Sequence, residues 1–469
     1  MILLLDIGKT NKKCFVFDED YRIVFEKTTQ LAETRDEDGE PCEDLGLLEK
    51  WVLESVREIL GDTRFQIRAI NCTAYGASFV HLDAAGKPLT PLYNYLKPYP
   101  NELRKQFFNT YGGEEKIALE TASPILGSLN SGLQLYRIKH QKPLVFKQIK
   151  WSLHLPQYVS YLISLAMDSP DNSKSLDECM ATEITSIGCH TMLWDFQKND
   201  YHDWVKSEGI AEKFPPILPL NTVLPVTNHH STSHHSTNHH STSHHSTNHH
   251  STNHHSTNHQ ITVGTGLHDS SAALIPYLAC FEVPFVLVST GTWCISLNPF
   301  NQEPLTPDEL AQDCLCYLSY EGKPVKAARY FGGHEHEQAV RQMAAEFGVP
   351  EDFYRGVQLP VPSTRDKLSG SLETRYLAFM RQLVEKQAVS TKLAIGKSHI
   401  RRIFVDGGFS RNEIYMALMA AAFPDMEVFA AEIPQATAMG AAMAMHDSWN
   451  KKPLSKNLIT LKKIREVVS

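Results

Sequence analysis

The chain opens with Ile2-Leu3-Leu4-Leu5-Asp6-Ile7-Gly8-Lys9-Thr10-Asn11, the segment from which the architecture is easiest to predict. The apolar run over residues 2–6 predicts a buried strand, and the glycine and polar residues after it predict a turn. Two returning strands are predicted over residues 14–17 and 22–28. We therefore expect Asp6 at a strand end, facing a turn whose backbone amides can bind a phosphate.

The same design occurs again in the second half of the chain. A predicted strand over residues 284–288 leads into the turn Ser289-Thr290-Gly291-Thr292, and a returning strand is predicted over residues 293–297. Two strand–turn–strand units with Gly/Thr tips indicate two related lobes, each with its own phosphate clamp.

A third unit combines a strand, two glycines and a helix start. The strand is predicted over residues 402–406, Gly407 and Gly408 follow, and a helix is predicted to begin near residues 410–412. Such a unit lets backbone approach a nucleotide closely. The next predicted helix, residues 435–445, is rich in Ala and Gly, which suits either close helix packing or contact with a flat adenine ring.

Asp269 is a candidate general base. The segment 261–273 reads as a short strand, a Gly-rich turn and a helix over residues 270–278, with the aspartate just before the helix. Phosphoryl transfer to a hydroxyl needs a carboxylate near that hydroxyl. An aspartate at this position could equally be a helix N-cap, so the local pattern leaves both roles open.

The composition is that of an ordinary globular protein with two or three domains. The chain has 469 residues, a formal net charge of -8 and 42% hydrophobic residues, and the negative charge argues against a nucleic-acid partner. No apolar run approaches the ~18 residues of a membrane span. Nine cysteines, of which only Cys314 and Cys316 are close in sequence, predict reduced buried thiols in a cytoplasmic protein.

Three polar segments have simpler interpretations. Residues 228–259 repeat the pentad His-His-Ser-Thr-Asn/Ser and hold 13 of the 23 histidines. The repeat suits either an expansion in a tolerant surface loop or a site for zinc, nickel or copper. Residues 33–44 are predicted to be a solvated loop before a helix over residues 45–60. Residues 451–465 are predicted to be a solvated helix face.

Taken in order, these motifs resemble those of the FGGY carbohydrate kinases over about residues 1–446. They are Asp6-Ile7-Gly8-Lys9-Thr10, His268-Asp269, Ser289-Thr290-Gly291-Thr292-Trp293, Asp406-Gly407-Gly408-Phe409-Ser410-Arg411-Asn412 and Gln435-Ala436-Thr437-Ala438-Met439-Gly440-Ala441-Ala442. The resemblance implies an α/β protein of two actin-like (ribonuclease H-like) lobes with a nucleotide and sugar cleft between them. It implies a sugar-side lobe over residues 1–268, an ATP-side lobe over residues 269–450 and a basic tail over residues 451–469.

The resemblance also implies roles for individual residues, with ATP and Mg²⁺ as cofactors. Asp269 would accept the proton of the sugar hydroxyl, and Asp6 would hold Mg²⁺ through water. The residues implied in binding the phosphates and the adenosine are Asp6, Gly8, Thr10, Lys13, Thr290, Gly291, Thr292, Gly407, Gly408 and Asn412.

On the sugar side the chain is most similar to the rhamnulokinase-like branch, which acts on 6-deoxy ketoses. The segment Ala74-Tyr75-Gly76-Ala77-Ser78-Phe79-Val80 carries this similarity, together with His268-Asp269 and Gly291-Thr292-Trp293. It implies sugar contacts from Tyr75, Gly76, Ser78, His268 and Asp269. Three positions depart from the pattern: Ser78 replaces an aspartate, residues 93–96 replace an Asp-x-Arg element, and Gln435 replaces a glutamate.

The resemblance thus implies ATP-dependent phosphorylation of a ketose such as L-rhamnulose, L-fuculose or xylulose. The implied partner is a small-molecule sugar, with neither nucleic acid nor membrane, and a homodimer is one option for the oligomeric state. Two other classes of function stay open at this point. One is another ATPase of the actin-like fold, and the other is a non-enzymatic metal-binding protein built around the histidine repeat.

Overall fold

The computed structural model describes residues 1–167, 176–225, 261–358 and 370–464. The histidine repeat at 228–259 lies outside these described residues, as do residues 465–469 of the basic tail.

The strands are, in chain order, β1 (Ile2–Ile7), β2 (Lys12–Phe17), β3 (Ile23–Thr29), β4 (Glu33–Arg35), β5 (Pro41–Glu43), β6 (Ala69–Ala74), β7 (Phe79–Leu82), β8 (Trp151–His154), β9 (Trp194–Asp195), β10 (Asp200–Tyr201), β11 (Val223–Pro225), β12 (Thr262–Gly264), β13 (Leu267–His268), β14 (Val286–Thr290), β15 (Cys294–Asn298), β16 (Cys314–Leu318), β17 (Pro324–Tyr330), β18 (Arg402–Gly407), β19 (Glu427–Glu432) and β20 (Thr460–Lys463).

The α-helices are α1 (Leu45–Gly61), α2 (Asn101–Tyr111), α3 (Glu114–Glu120), α4 (Ser131–Gln141), α5 (Pro143–Gln148), α6 (Leu155–Met167), α7 (Ile184–Ile187), α8 (Asp203–Ser207), α9 (Asp269–Cys280), α10 (Pro307–Ala311), α11 (Gly332–Phe347), α12 (Leu372–Ile395), α13 (Glu413–Ala422), α14 (Ala436–Ala444) and α15 (His446–Trp449). Short 3₁₀ turns lie at Gly127–Leu129, Leu176–Cys179, Ala211–Lys213, Phe353–Gly356 and Phe409–Arg411.

Two seven-stranded sheets share the order and pairing of six of their strands. The first has the order β11-β12-β6-β1-β2-β3 with β13 also paired to β6, and the second has the order β16-β17-β15-β14-β18-β19-β20. We compare the first sheet from β3 across to β11 with the second sheet from β17 across to β20. In both, the five successive pairs of neighbouring strands are antiparallel, antiparallel, parallel, parallel and antiparallel. The repeat confirms the two related lobes expected from the two hairpins.

Helices cover both sheets and join them. The core of the first sheet packs residues such as Leu3 and Leu5 against Val52 and Val56 of α1 and Ile163 of α6. The core of the second packs β14 and β18 against α12 and α13. Helices α9 and α14 lie against each other beside β1 and β6, and a side chain at Gly440 would come within 1.9 Å of the Ala272 carbonyl oxygen. Gly440 of α14 therefore serves helix packing.

The prediction of a solvated helix face over residues 451–465 is wrong. The described part of this segment ends in the strand β20, which pairs antiparallel with β19, and Ile459 is buried. Pro453 cannot donate a backbone hydrogen bond inside a helix. In the topological repeat β20 is the counterpart of β11, so the segment completes the second sheet.

The predicted solvated loop at 33–44 is also wrong. Strands β4 and β5 form a hairpin there, and Asp36 and Glu43 are buried. Each carboxylate pairs with a lysine, Asp36 with Lys97 and Glu43 with Lys12. A buried charge is tolerated when it is paired, and these partners could not be read from the local sequence.

The other predicted elements occur with bounds shifted by one to a few residues. Helix α1, for example, extends one residue beyond the predicted 45–60, and the helix predicted near 410–412 begins at Glu413 after a 3₁₀ turn. Within the described ranges, no helix is both long and apolar enough to cross a lipid bilayer.

Candidate active site

The carboxyl ends of three neighbouring strands bring the predicted base, Asp269, and the predicted Mg²⁺-binding aspartate, Asp6, to one edge of the first sheet. In register, Asp6 of β1 lies beside Thr73 of β6, and Ala74 lies beside His268 of β13. The Thr73 hydroxyl donates to Asp6 Oδ1 at 2.9 Å. Because Asp269 directly follows His268, parallel pairing delivers both carboxylates to the same side of the molecule.

Asp269 is the first residue of α9, not its N-cap. The cap position is His268, which makes no capping hydrogen bond with its side chain. Asp269 Oδ1 accepts from the Ser270 backbone N at 2.6 Å and from the Ser270 hydroxyl at 3.2 Å. In the described part of the chain every hydrogen bond to this carboxylate reaches Oδ1, which leaves Oδ2 for a ligand.

Burial sets the protonation of the site. It raises the pKa of Asp269 to about 6, against the opposing hydrogen bonds from Ser270. Burial also raises the pKa of Asp6 to about 6; the Thr73 hydrogen bond opposes the shift, and the charge of Asp269 adds to it. This contribution of Asp269 indicates that the two carboxylates lie close enough to interact. Burial lowers the pKa of His268 to about 4, so this imidazole is neutral at pH 7.

His268 is held in place on three sides. Its Nε2 lies 3.3 Å from Asp269 Oδ1, and its Nδ1 lies 3.1 Å from the Ser271 hydroxyl. Its backbone N donates to the Thr185 hydroxyl oxygen at 3.1 Å. A Cβ added at Gly76 would come within 3.0 Å of the ring, so the glycine is what allows this close packing.

A buried glutamate that the sequence analysis did not single out stands behind this contact. Glu183 is fully buried and accepts from the Thr185 hydroxyl at 2.6 Å and the Thr185 backbone N at 2.8 Å. Burial raises the pKa of Glu183 to about 7. Through Thr185, this side chain orients the backbone that presents Asp269.

The other predicted sugar contacts are largely turned into the protein. Tyr75 is 8% exposed, and its hydroxyl donates to Glu43 Oε2 at 2.6 Å. Ser78 is 1% exposed. The ring of Tyr75 packs edge-to-face on Tyr95, with 5.8 Å between centroids. Gly76 and His268 therefore lie together beside Asp269, whereas the side chains of Tyr75 and Ser78 are packed into the protein behind them.

The first predicted phosphate turn lies beside Asp6. Gly8 N donates to Asn11 O at 2.9 Å and closes the turn, and Thr10 is exposed at its tip. Lys13, in register with Asp6 across β1 and β2, reaches the other lobe, where its Nζ donates to Gln435 Oε1 at 3.2 Å. Lys13 thus bridges the two lobes in addition to lying beside the carboxylate.

In the second turn, the Thr290 side chain has a structural task. Its buried hydroxyl donates to the Asp406 carbonyl oxygen and accepts from Phe409 N at 3.0 Å. The Thr290 carbonyl oxygen accepts from Gly408 N at 2.9 Å. Gly291 and Thr292 are exposed at the tip of the turn. Thr290 therefore fixes the double-glycine loop against the turn, and its two neighbours face outward.

A cavity of about 830 Å³, here called the C-terminal cavity, lies beside this loop. Its lining combines the predicted double glycine with the start of α14, namely Ala273, Ser289, Asp406, Gly407, Gly408, Ser410, Arg411, Ala431, Glu432, Ile433, Pro434, Gln435, Ala436, Thr437, Leu458 and Thr460. Asn412 is absent from this lining: its Oδ1 accepts from Tyr415 N at 3.0 Å and caps α13, and its amide donates to the Tyr376 hydroxyl at 3.0 Å.

Asp406 is a further buried carboxylate beside this cavity, and no role for it was predicted from the motif over residues 406–412. In the topological repeat, Ser289 and Asp406 occupy the paired positions that Asp6 and Thr73 occupy in the first sheet. Burial raises the pKa of Asp406 to about 6, and hydrogen bonds from Ser289 and Tyr277 oppose the shift. The repeated strand–turn design was the signal that could have pointed to this carboxylate.

Oxygen ligands dominate the site, which suits a hard cation. Asp6 and Asp269 are carboxylates, and the described residues contain no cluster of three or more His, Cys, Asp or Glu side chains able to hold a metal ion alone. Mg²⁺ is commonly bound by one or two carboxylates with water and phosphate oxygens as further ligands. The residues present therefore fit Mg²⁺ bound together with a nucleotide.

The two lobes have the same strand order, carboxylates lie at the edge of the first sheet, and a cavity lies beside the double glycine. This combination defines the actin-like (ribonuclease H-like) α/β class. The comparisons with known families are more specific. The FGGY family of carbohydrate kinases, N-terminal domain, matches residues 1–275, and its C-terminal domain matches residues 371–446. Carbohydrate kinase FGGY, C-terminal domain, matches residues 282–355. The chain belongs to the FGGY family of carbohydrate kinases.

Individual relatives are distant. A rhamnulokinase from Halalkalibacterium halodurans is 23% identical over 194 residues, which cover 41% of this chain and 39% of that protein. A carbohydrate kinase from Novosphingobium aromaticivorans is similar in structure, with a TM-score of 0.73, 21% identity and coverage of 99% of this chain and 94% of the other. Plasmodium falciparum glycerol kinase, solved with ADP, has a TM-score of 0.70, 15% identity and coverage of 96% and 90%.

Proposed function

We propose that this chain transfers a phosphoryl group from ATP to a hydroxyl of a sugar, a ketose such as L-rhamnulose, L-fuculose or xylulose. The observation that carries the proposal is Asp269, presented at the cleft with Oδ2 unused and with a second carboxylate, Asp6, beside it. A general base needs this combination of access and proximity to the transferred group.

In the proposed step, Asp269 accepts the proton of the attacking hydroxyl. The hydroxyl oxygen forms a bond to the γ-phosphorus, the bond from that phosphorus to the β–γ bridging oxygen breaks, and ADP leaves with the electron pair. A pKa of about 6 keeps Asp269 ionised at neutral pH while leaving it basic enough to take the proton. His268 is neutral, and its Nε2 lies 3.3 Å from Asp269 Oδ1, so it contacts the carboxylate without neutralising its charge.

The phosphates are proposed to lie between the two turns. Thr10 on one side and Thr292 on the other would offer hydroxyl donors, while Gly8 and Gly291, whose backbone N–H groups close the two turns, would let the phosphates approach closely. Asp6 would hold Mg²⁺ through water. The bound Mg²⁺ would offset the negative charge of the phosphates. Lys13 is proposed to add a positive charge beside Asp6, whose pKa it lowers.

The adenosine is proposed to occupy the C-terminal cavity. Gly407 and Gly408 would contact it directly, because both line the cavity, and Gly407 packs so closely on the Thr290 backbone that a side chain there would collide with the Thr290 carbonyl oxygen. Thr290 and Asn412 are proposed to act through the loop and the helix start that they hold.

The choice of a ketose rests on the similarity to the rhamnulokinase-like branch. Gly76, His268 and Asp269 are proposed to touch the sugar, with Tyr75 and Ser78 shaping the wall behind them. We propose a cytoplasmic location, in line with nine free and buried cysteines, and an N-terminal lobe that ends at residue 268. A homodimer remains a prediction.

A coupled assay of ADP release tests the function. The panel is L-rhamnulose, L-fuculose, D- and L-xylulose, D- and L-ribulose and glycerol, each with Mg²⁺ and ATP. We expect release that depends on one or a few ketoses. ATP hydrolysis that no sugar stimulates would instead favour another ATPase of the actin-like fold.

A further inference from the structure

A buried ion pair lies behind the first phosphate turn, residues 8–11. Lys12 and Glu43 are 2% and 4% exposed, and their side chains form a salt bridge. Lys12 begins β2 directly after the turn, whereas Glu43 ends β5 of the hairpin over residues 33–43. Replacing a buried ion pair by apolar residues is often neutral or stabilising, so stability alone is a weak explanation for this pair. Its further contacts indicate a role in the adjoining turn.

Lys12 also fixes one peptide group of the turn. Its Nζ donates to the Lys9 carbonyl oxygen at 3.1 Å. The Lys9–Thr10 peptide is trans and planar, so its C=O and N–H groups point in opposite directions. Because the carbonyl oxygen faces the buried Lys12, the Thr10 N–H is directed away from it, and no acceptor in the described part of the chain reaches this N–H. The turn thus presents a free backbone donor at its exposed tip.

The third member of this network comes from the sugar side of the site. The Tyr75 hydroxyl donates to Glu43 Oε2 at 2.6 Å, while Glu43 Oε1 faces Lys12 Nζ. Tyr75 directly precedes Gly76, which packs closely on the His268 ring. One glutamate therefore joins the wall behind the proposed sugar contacts to the lysine that holds the phosphate turn.

The hairpin holds the turn at a second point. Glu33, on strand β4, pairs with Lys9 Nζ at 2.7 Å, and the two side chains are 50% and 24% exposed. A partly exposed pair of this kind contributes little energy. The orientation of the Lys9–Thr10 peptide therefore depends mainly on the buried Lys12 and its two partners.

We propose that Lys12, Glu43 and Tyr75 are positioning residues for the phosphates of the nucleotide. Through them the Thr10 N–H is aimed at the phosphates, and the phosphate turn is coupled to the wall of the sugar site. In this role each acts through the Lys9–Thr10 peptide rather than on the phosphates directly. This inference rests on the proposed kinase function and adds a link between its two substrate sites.

The test is a substitution on the sugar side with a readout at the nucleotide. Tyr75→Phe removes the hydroxyl that Glu43 Oε2 accepts and keeps the ring that packs on Tyr95. We expect the Kd for ADP, by calorimetry at constant Mg²⁺, to rise about threefold to tenfold, since a hydrogen bond to a charged group is lost. Adenosine, which has no phosphates, should bind within twofold of wild type. An unchanged ADP Kd, or an equal loss for adenosine, would overturn the inference.

A matched control removes the same kind of hydrogen bond elsewhere in the first lobe. The Tyr158 hydroxyl donates to Glu49 Oε1 at 2.5 Å, and this bond joins α6 to α1 rather than the hairpin to the turn. Tyr158→Phe should leave the ADP Kd within twofold of wild type. An equal rise in both variants would mean a general loosening of the lobe and would also overturn the inference.

Glu43→Gln provides a second test on the ion pair itself. It keeps the shape of the side chain but removes the charge that holds Lys12, so the ADP Kd should rise at least as much as in Tyr75→Phe. A Kd within twofold of wild type would contradict the proposal.

The double variant shows whether the two substitutions act through the same network. Tyr75→Phe with Glu43→Gln should bind ADP no more than twofold less tightly than Glu43→Gln alone, because residues of one network are not additive. Two losses that multiply would show independent effects and contradict the link. If the wild type binds no ADP at all, the proposed kinase function itself fails, which is a different outcome.

Discussion

At the scale of single residues, the site is defined by carboxylates whose pKa values burial has raised. Asp6 and Asp269 are presented by neighbouring strands, and each has a pKa of about 6. A neutral His268 lies beside Asp269, and Glu183, acting through Thr185, orients the backbone that precedes it. This arrangement predicts how activity depends on Asp269 and on pH.

Asp269→Asn should nearly abolish phosphoryl transfer while leaving nucleotide binding largely intact. The amide keeps the shape of the carboxylate but cannot accept the proton, and loss of a general base typically lowers the rate about 10²- to 10⁴-fold. The measurement is kcat from sugar-dependent ADP release, with ADP affinity by calorimetry as the control. A kcat within threefold of wild type would show that another group is the base.

The pH profile should rise through about pH 6 and level off above about pH 7. Burial raises both carboxyl pKa values above their ordinary range, and the ionised forms, which predominate above the raised pKa, are the active ones. The measurement is kcat/KM for the sugar between pH 5 and pH 8. A profile that falls across this range would contradict an ionised base.

At the scale of elements, the ends of β14 and β18 in the second lobe pack closely on each other because Gly407 has no side chain. Gly407 has a φ of 79°, and a Cβ placed there would lie 2.0 Å from the Thr290 carbonyl oxygen. The neighbouring Gly408 donates to the same oxygen. The loop that lines the C-terminal cavity therefore depends on the absence of a side chain.

Gly407→Ala should weaken nucleotide binding and lower stability. The left-handed backbone alone costs an alanine about 1 kcal/mol or more, and the clash with Thr290 adds to it. ADP titration and thermal unfolding measure the two effects. The matched control is Gly61→Ala at the end of α1, where an added Cβ meets nothing within 4 Å. Equal behaviour of both variants would mean that the loop can move without consequence.

At the scale of the whole molecule, the two lobes repeat a six-strand pattern and differ at its edge hairpins. In the first sheet, β11 and β12 pair in register, with Pro225 beside Thr262. Residues 226–260, including the histidine repeat, connect these two positions. Because the strand ends already lie side by side, a short turn can join them.

Replacing residues 228–259 by a short Gly/Ser turn should therefore leave the kinase active. The segment contains no apolar residue that could add to the core, and loop length has a small effect on stability, about 0.6 kcal/mol per doubling. Sugar-dependent ADP release measures the outcome. The same change should abolish retention on a nickel resin, since 13 of the 23 histidines lie there.

The contrary result would be a shortened protein that folds but no longer phosphorylates sugar, together with stimulation of the intact enzyme by zinc or nickel. It would make the repeat part of the catalytic machinery and favour the metal-binding interpretation.

The sequence by itself determined the features that depend on neighbouring residues. Apolar runs and Gly/Thr turns placed Asp6 at a strand end, and a Gly-rich turn before a helix placed Asp269. The repeated hairpin predicted two related lobes, because strand and turn propensities act over a few residues. The order of these motifs was sufficient to indicate the family.

Only the tertiary structure decided which distant residues meet. Thr73 reaches Asp6 through parallel pairing, Arg329 reaches Asp313 through the pairing of β17, and β20 exists only because β19 offers it a partner. Tertiary contacts also decided that the side chains of Thr290 and Asn412 bond to other parts of the protein, Thr290 to the Phe409 backbone and Asn412 to the Tyr376 hydroxyl. The physical reason is that burial, ion pairing and strand pairing join residues far apart in the chain, whereas sequence patterns report only on local geometry.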